Sequence, residues 1–284
     1  MIKYKSIFLT FSLLLLAAPA AAEDTAPDIR LCGKLAQGEV IRGYAPGITN
    51  IRINGANHQV TKDGKFIFAF PRDQKEQAVL QITEADGQTR KFDLKIAPTK
   101  WDIQNLKGVP PRKVTPSKED EAAILSERTL VGGALKGDRL ESYWQRGFIE
   151  PVQGRISGYF GGQRIMNGKK MNPHAGTDIA APIGTKIKAA SDGIITLTAP
   201  DTFYSGNVVV IDHGHGLQTI YAHMNKIYVK QGQSVKQGEI IGEVGKTGRV
   251  TGPHLHWGAS LRNTRFNPYS LLNLTANNDF CFNL

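Results

Sequence analysis

Short apolar runs separated by turn dipeptides are the feature that most constrains this fold. Between residues 30 and 96, apolar residues alternate with polar ones, and Asn54-Gly55, Asp63-Gly64 and Asp86-Gly87 separate the runs. Asn-Gly and Asp-Gly pairs favour tight hairpin turns because both residues tolerate positive φ. We therefore predict a small, β-sandwich-like N-terminal domain over residues 23–96.

The rest of the chain divides into a linker and a second β-rich unit. Four prolines (98, 110, 111 and 116) mark a Pro-rich linker. Ser117, with acidic residues at 119–121 in the following turn, is typical of a helix start. We predict a linker with a helical segment over residues 97–150, whose helix packs on the second domain or covers its cleft. Strand-like runs such as Val208–Ile211 predict a mainly β domain over residues 151–284.

The N-terminus is typical of a secretory signal peptide. Lys3 and Lys5 precede the apolar run from Ile7 to Leu16, and small residues end at Ala22. A retained membrane anchor is the alternative, but the run is short for a bilayer span. We predict cleavage after residue 22, a periplasmic or secreted protein, and no stable membrane insertion afterwards.

The charge and the cysteine content limit the kinds of partner and the covalent links that the sequence allows. The chain has 35 Lys and Arg against 25 Asp and Glu, a formal net charge of +10, concentrated in its second half. An exported basic domain suits an anionic partner such as cell wall, and no basic stripe interleaved with aromatics indicates nucleic acid. The two cysteines, Cys32 and Cys281, form no CxxC pair, and either a disulfide or two free thiols fits the sequence.

Two histidine motifs carry the chemistry. The segment His174-Ala-Gly-Thr-Asp178 places an imidazole and a carboxylate four residues apart, and His254-Leu-His256 places two imidazoles on one face of a strand. Two imidazoles and one carboxylate form a zinc set that leaves the fourth tetrahedral position open for water. Zinc lowers the pKa of such a water to about 7 and polarises the scissile carbonyl.

These motifs resemble the LytM/lysostaphin-type zinc endopeptidases, peptidase family M23. The resemblance covers about residues 152–270 and includes, in order, residues 155–161 (RISGYFG), 180–185 (AAPIGT), 206–214 (GNVVVIDHG), Tyr221-Ala222-His223 and residues 247–253 (TGRVTGP). It implies a LytM-type antiparallel β-sheet domain and a zinc-dependent enzyme that hydrolyses peptide bonds of peptidoglycan. It further implies His174, Asp178 and His256 as zinc ligands and His223 and His254 as catalytic residues.

Several alternatives stay open at this point. The domain could instead be a catalytically silent binding or activator protein for another cell-wall hydrolase, or an active domain held latent by the N-terminal region or by residues 117–147. The peptide bond cut, the division of roles between His223 and His254, and any regulatory partner are not fixed. A polar loop before His174 contains three basic residues, Arg164, Lys169 and Lys170. They either bind substrate carboxylates or belong to a solvated loop without such a role.

Overall fold

The fold is mainly β, as the sequence predicts. The computed structural model describes residues 29–274 and 281–284, so the predicted signal peptide, residues 1–22, lies outside the described residues. No helix within the described ranges has the length and apolar character needed to cross a bilayer.

The N-terminal half is a β-sandwich of two four-stranded antiparallel sheets. Its own seven strands are β1 (Arg30–Cys32), β2 (Val40–Tyr44), β3 (Ile48–Ile53), β4 (Ala56–His58), β5 (Lys65–Ala69), β6 (Gln77–Glu84) and β7 (Thr89–Lys95). One sheet has the order β4-β3-β6-β7, and β1, β2 and β5 belong to the other. Ile41, Phe68, Ile51 and Leu80 are fully buried within the common core, which agrees with the alternating pattern of the sequence.

The segment between the two halves is more structured than a linker. It contains β8 (Ile103–Leu106), α1 (Pro111–Val114) and α2 (Glu121–Ala134). β8 pairs in parallel with a strand of the second half, residues 163–166, so four residues of the predicted Pro-rich linker form a strand. The predicted helix is confirmed: a capping box between Ser117 and Asp120 precedes α2, which packs against the long strand at residues 193–202.

The C-terminal half is built on one ten-stranded antiparallel sheet. Its strands are β9 (Arg155–Gly158), β10 (Gln163–Met166), β11 (Lys169–Lys170), β12 (Gly176–Ala180), β13 (Lys186–Lys188), β14 (Gly193–Thr202), β15 (Gly206–Asp212), β16 (Leu217–Ile227), β17 (Ser234–Val235), β18 (Ile240–Val244), β19 (His254–Leu261) and β20 (Thr264–Phe266). The main path is β17-β14-β15-β16-β19-β12-β9, and β20 pairs with β19. Strands β10 and β11 form a separate small sheet with β8. Single-turn 3₁₀ helices lie at Lys118–Asp120 and Tyr143–Arg146, and a longer one lies at Pro268–Leu274.

The end of the chain returns to the N-terminal sandwich. β21 (Cys281–Asn283) pairs with β1 in the order β21-β1-β2-β5, and Cys32 lies directly opposite Cys281. The two cysteines form a disulfide across a sequence separation of 249 residues. The final residues, which we assigned to the second domain, therefore belong to a sheet of the first.

Loss of this disulfide should destabilise the protein strongly. A crosslink that closes a long loop restricts the unfolded chain, and removing a native disulfide lowers the free energy of unfolding by about 2–5 kcal/mol. We expect Cys32→Ala/Cys281→Ala to show this loss in chemical denaturation, and reduced wild type to show the same loss. Equal stability of oxidised and reduced wild type would contradict the expectation.

His213 is a buried structural histidine at the end of the hairpin between β15 and β16. It is 0% exposed, its Nδ1–H donates to the Asp192 carbonyl at 2.6 Å, and its Nε2 lies 2.7 Å from the Thr219 hydroxyl. Burial lowers the pKa of His213 from 6.5 to about 4. The neutral ring is thus part of the fold.

The stability of the protein should therefore fall in mild acid. An unfolded His213 takes up a proton near pH 6.5 while the folded one resists it down to about 4, so stability present above pH 6.5 is lost as the pH falls through this window. This group alone contributes about 3 kcal/mol over that range. Denaturant titrations between pH 7 and pH 4 with a chelator present should give a flatter pH dependence for His213→Gln than for wild type. Identical slopes would contradict this role.

Candidate metal centre

The three predicted metal ligands come together at the start of β12. His174 lies two residues before this strand, Asp178 lies within it, and His256 lies directly opposite Asp178 on β19. His174 Nε2 lies 3.0 Å from Asp178 Oδ1, His256 Nδ1 lies 2.9 Å from that same oxygen, and the two nitrogens are 3.0 Å apart. The pairing of β12 with β19 brings His256 close to the other two ligands, although it is far from them in the sequence.

This triangle fits one divalent cation. In a tetrahedral zinc site with bonds of about 2.0–2.2 Å, neighbouring donor atoms lie roughly 3.3 Å apart, close to the separations found here. His174 is 3% exposed and Asp178 is 7% exposed, so the donors are shielded from solvent. His174, Asp178 and His256 also form the group of His and Asp side chains, within the described ranges, that could hold a metal ion.

Hydrogen bonds around the cluster orient its donors. The Nδ1–H of His174 donates to the backbone carbonyl of Tyr159 at 3.0 Å, which leaves the Nε2 lone pair directed to the cluster. The second oxygen of Asp178 accepts a hydrogen bond from the guanidinium of Arg164. Arg164 therefore supports a predicted metal ligand, a role that neither of the two alternatives for its polar loop included.

The protonation states suit metal binding. Burial lowers the pKa of His174, and it lowers the pKa of His256 to about 4. Burial alone would raise the pKa of Asp178, but His174, His256 and Arg164 outweigh it and hold that pKa well below its usual range. At neutral pH the cluster is thus two neutral imidazoles and a carboxylate, the forms that ligate metals.

Gly176 is required by the close approach of His256. A Cβ at this position would lie 2.7 Å from Cε1 and Nε2 of the His256 ring and 2.5 Å from the backbone oxygen of Trp257. Contacts this short do not occur between real side chains and backbone. The glycine in the His-x-Gly-x-Asp motif therefore makes room for the third ligand.

The two predicted catalytic histidines stand beside the triangle. His254 Nε2 lies 3.6 Å from Asp178 Oδ1, and its Nδ1–H donates to the Gly252 carbonyl at 2.9 Å. The ring of His223 lies 4.8 Å from that of His254 and 5.9 Å from that of His256, measured between centroids. The structure thus places all five predicted site residues in one cluster.

His223 adopts an unusual backbone conformation. Its φ is +64°, at an irregularity where the register between β15 and β16 shifts. A residue with a side chain held at positive φ is strained, and such strain is concentrated at functional sites. Its Nδ1–H donates to the Thr247 carbonyl at 2.9 Å, and burial, followed by the adjacent His254 and His256, lowers its pKa well below 6.5. The ring is neutral, with Nε2 as its proton acceptor.

A cleft of about 250 Å³ is lined by His174, His223 and His256. Its lining includes Val131 of α2, Tyr204 and three arginines at positions 164, 249 and 265. A larger cavity of about 620 Å³ lies beside Trp144 and the disulfide, and none of the five site residues lines it. The site is therefore identified by its histidines and not by the size of the cavity. Val131 places α2 along one wall of the smaller cleft.

Comparisons with known proteins agree on one family. Residues 172–268 match the family model "Peptidase family M23". The chain is 46% identical over 122 residues to the peptidoglycan DD-endopeptidase ShyA of Vibrio cholerae, and 44% identical over 124 residues to the DD-carboxypeptidase/endopeptidase Mpg of Neisseria meningitidis. Each match covers 43% of this chain and 28% of the relative, so the chain spans little more than a quarter of those curated proteins.

The likeness to a solved structure extends beyond the matched segment. A Pseudomonas aeruginosa structure assigned to the M23 peptidases superposes with a TM-score of 0.67 at 27% identity, covering 86% of this chain and 97% of that one. The shared architecture therefore includes much of the N-terminal half. The histidine motifs, their geometry and these matches together make residues 172–268 of this chain similar to peptidase family M23.

Proposed function

We propose that this protein is a zinc-dependent endopeptidase that hydrolyses peptide bonds in the stem peptides or cross-links of peptidoglycan. The observation that carries the proposal is the triangle of His174 Nε2, Asp178 Oδ1 and His256 Nδ1, with sides of 2.9–3.0 Å. Relatives named as peptidoglycan DD-endopeptidases supply the substrate class.

His174, Asp178 and His256 would hold the zinc ion. When bound, zinc would polarise the scissile carbonyl and make a water molecule a better nucleophile at neutral pH. Arg164 and the Tyr159 carbonyl fix the orientation of two of the three ligands. Arg164 binds the Asp178 oxygen that does not face the cluster, and the Tyr159 carbonyl binds the Nδ1–H of His174.

His254 and His223 would accept and donate protons during the reaction. His254 Nε2 is within 3.6 Å of a ligand oxygen, close enough to accept a proton from a nucleophilic water between them. His223 is anchored through Nδ1, so its Nε2 can stabilise or exchange a proton with the reacting amide. His254 is assigned as the general base because it lies nearer to the ligand oxygen.

Charge and covalent structure support an exported protein with an anionic substrate. Arg164, Arg249 and Arg265 line the cleft, and among its described lining residues there is no Asp or Glu. Stem peptides of the cell wall carry free carboxylates, which such a cleft attracts. The Cys32–Cys281 disulfide is typical of proteins outside the cytoplasm, so it supports a periplasmic or secreted location.

Adding one methyl group at Gly176 should remove the metal. We expect Gly176→Ala to displace the His256 ring and weaken zinc binding by at least tenfold, since its Cβ would meet that ring at 2.7 Å. Isothermal titration with zinc measures this. Gly133→Ala on α2 is the matched control, because no atom lies within 4 Å of a Cβ there. Wild-type zinc affinity in Gly176→Ala would refute the assigned ligand geometry.

Two histidine variants separate binding from proton transfer. His256→Ala should lose zinc and activity together, whereas His254→Ala should keep zinc and lose about 10²–10⁴-fold in turnover. Bound zinc and release of muropeptides from purified sacculi are the two measurements. Cleavage by His254→Ala at the wild-type rate would show that another group is the base. A wild-type protein that releases no muropeptides when supplied with zinc would instead favour the activator function.

A further inference from the structure

The three cleft arginines differ in what they contact. Arg164 pairs with Asp178, and the Arg249 guanidinium lies 4.3 Å from the centroid of the Tyr204 ring. Arg265 is only partly exposed, yet within the described ranges its side chain has no ion pair and no hydrogen bond. Burial is the sole influence on its pKa, which falls to about 10, so the group stays charged at neutral pH. A partly buried cation without a partner is unfavourable unless a ligand supplies one.

The hairpin that carries Arg265 directs it over the floor of the cleft. Arg262 and Asn263 both have positive φ, and their two-residue turn pairs Leu261 with Thr264 and Ser260 with Arg265. Paired residues share a face of the sheet, and alternation along β19 puts His256 on that face too. Arg265 is therefore on the same side of the sheet as the metal ligand.

The surroundings of Gly258 show how far the Arg265 side chain extends. A Cβ at Gly258 would lie 3.5 Å from Arg265 Nη1, so the guanidinium occupies the space above this glycine. Gly258 is two residues along the strand from His256, a distance of about 6–7 Å. An extended peptide advances roughly 3.3–3.6 Å per residue, so this distance corresponds to about two substrate residues.

We propose that Arg265 binds a free carboxylate of the peptide substrate, within about two residues of the bond that is cut, and makes the enzyme prefer free-acid over amidated stem peptides. The proposal rests on the peptidase function proposed above. It adds a specificity-determining residue outside the zinc ligands and the two catalytic histidines.

Carboxylate chemistry fits this position best. The planar guanidinium presents paired N–H donors that match the two oxygens of a carboxylate. Ser260, directly opposite Arg265, is 0% exposed, and its hydroxyl has no partner within the described part of the chain. The carboxylate could be the C-terminus of a short stem peptide or a side-chain carboxylate beside the scissile bond, and substrate chemistry distinguishes these sources.

The experiment compares Arg265→Met with wild type on one synthetic cross-linked stem-peptide dimer in three forms. The first form has all carboxylates free, the second is amidated at the C-terminus, and the third is amidated at the side-chain carboxylate next to the scissile bond. For Arg265→Met on the free acid we expect KM to rise about tenfold or more, with kcat within about threefold, because a charge-assisted hydrogen bond in the bound state is lost. Amidation of one position should reproduce this rise in wild type, and that position identifies the source.

Controls keep the test decisive. Arg155→Met removes an equal charge from an exposed position on β9 and should behave as wild type. Bound zinc and the melting temperature are measured for every variant, and Arg265→Lys, which retains the charge, should recover part of the affinity. If Arg265→Met does not fold, wild type on the three substrate forms decides by itself.

The outcomes separate this proposal from the peptidase function. Equal KM for wild type on all three forms, or an equal loss by Arg265→Met on all three, would overturn the role of Arg265 while leaving an active enzyme. A wild-type protein loaded with zinc that cleaves neither the dimers nor purified sacculi would refute the peptidase function, and the carboxylate site with it.

Discussion

The pairing of Asp178 with His256 across β12 and β19 is the constraint on which the site depends. These residues are direct neighbours in an antiparallel ladder, and His174 joins them from the turn that precedes β12. Both oxygens of Asp178 are engaged, one by the two imidazoles and the other by Arg164. A slip of one residue between these strands would turn either the carboxylate or the imidazole to the opposite face of the sheet.

Helix α2 takes part in the site through a chain of hydrogen bonds. The Glu127 carboxylate accepts hydrogen bonds from the backbone N–H groups of Tyr204 and Ser205 and from the Ser205 hydroxyl. The carbonyl of Ser205 in turn accepts the backbone N–H of His223 at 2.8 Å. Because His223 stands at positive φ, its backbone needs such external support. The helix that walls the cleft thereby also fixes the strained histidine.

The sequence predicts the parts of the site that depend on local spacing. His-x-Gly-x-Asp and His-x-His each place their side chains through strand alternation, and family resemblance adds His223. Arg164 could be located near His174, but its contact with Asp178 depends on how two separate strands meet. Arg265 was not predicted as a cleft residue, because the Arg262-Asn263 turn that sets its register is a weaker hairpin signal than Asn-Gly.

The fold, like the site, could be predicted from the sequence only in part. Turn dipeptides identify the N-terminal strands, and the Ser117 cap identifies α2. The short strands β8 and β21 were missed, because three or four residues give too little periodicity and their pairing partners lie far away in sequence. β8 joins the segment between the two halves to the second half, and β21 carries residues from the end of the second half into a sheet of the first.

The balance of charges around the site leaves the cleft positive. In the ligand cluster the charge of Asp178 is offset by Arg164, and the buried imidazoles are neutral, so a bound divalent cation adds its full charge to the cleft. Arg249 and Arg265 add two more positive charges at the lining. Low solvent access strengthens each of these interactions with a substrate. A cleft with this charge attracts carboxylates and repels cationic groups, which agrees with the anionic peptide substrate proposed above.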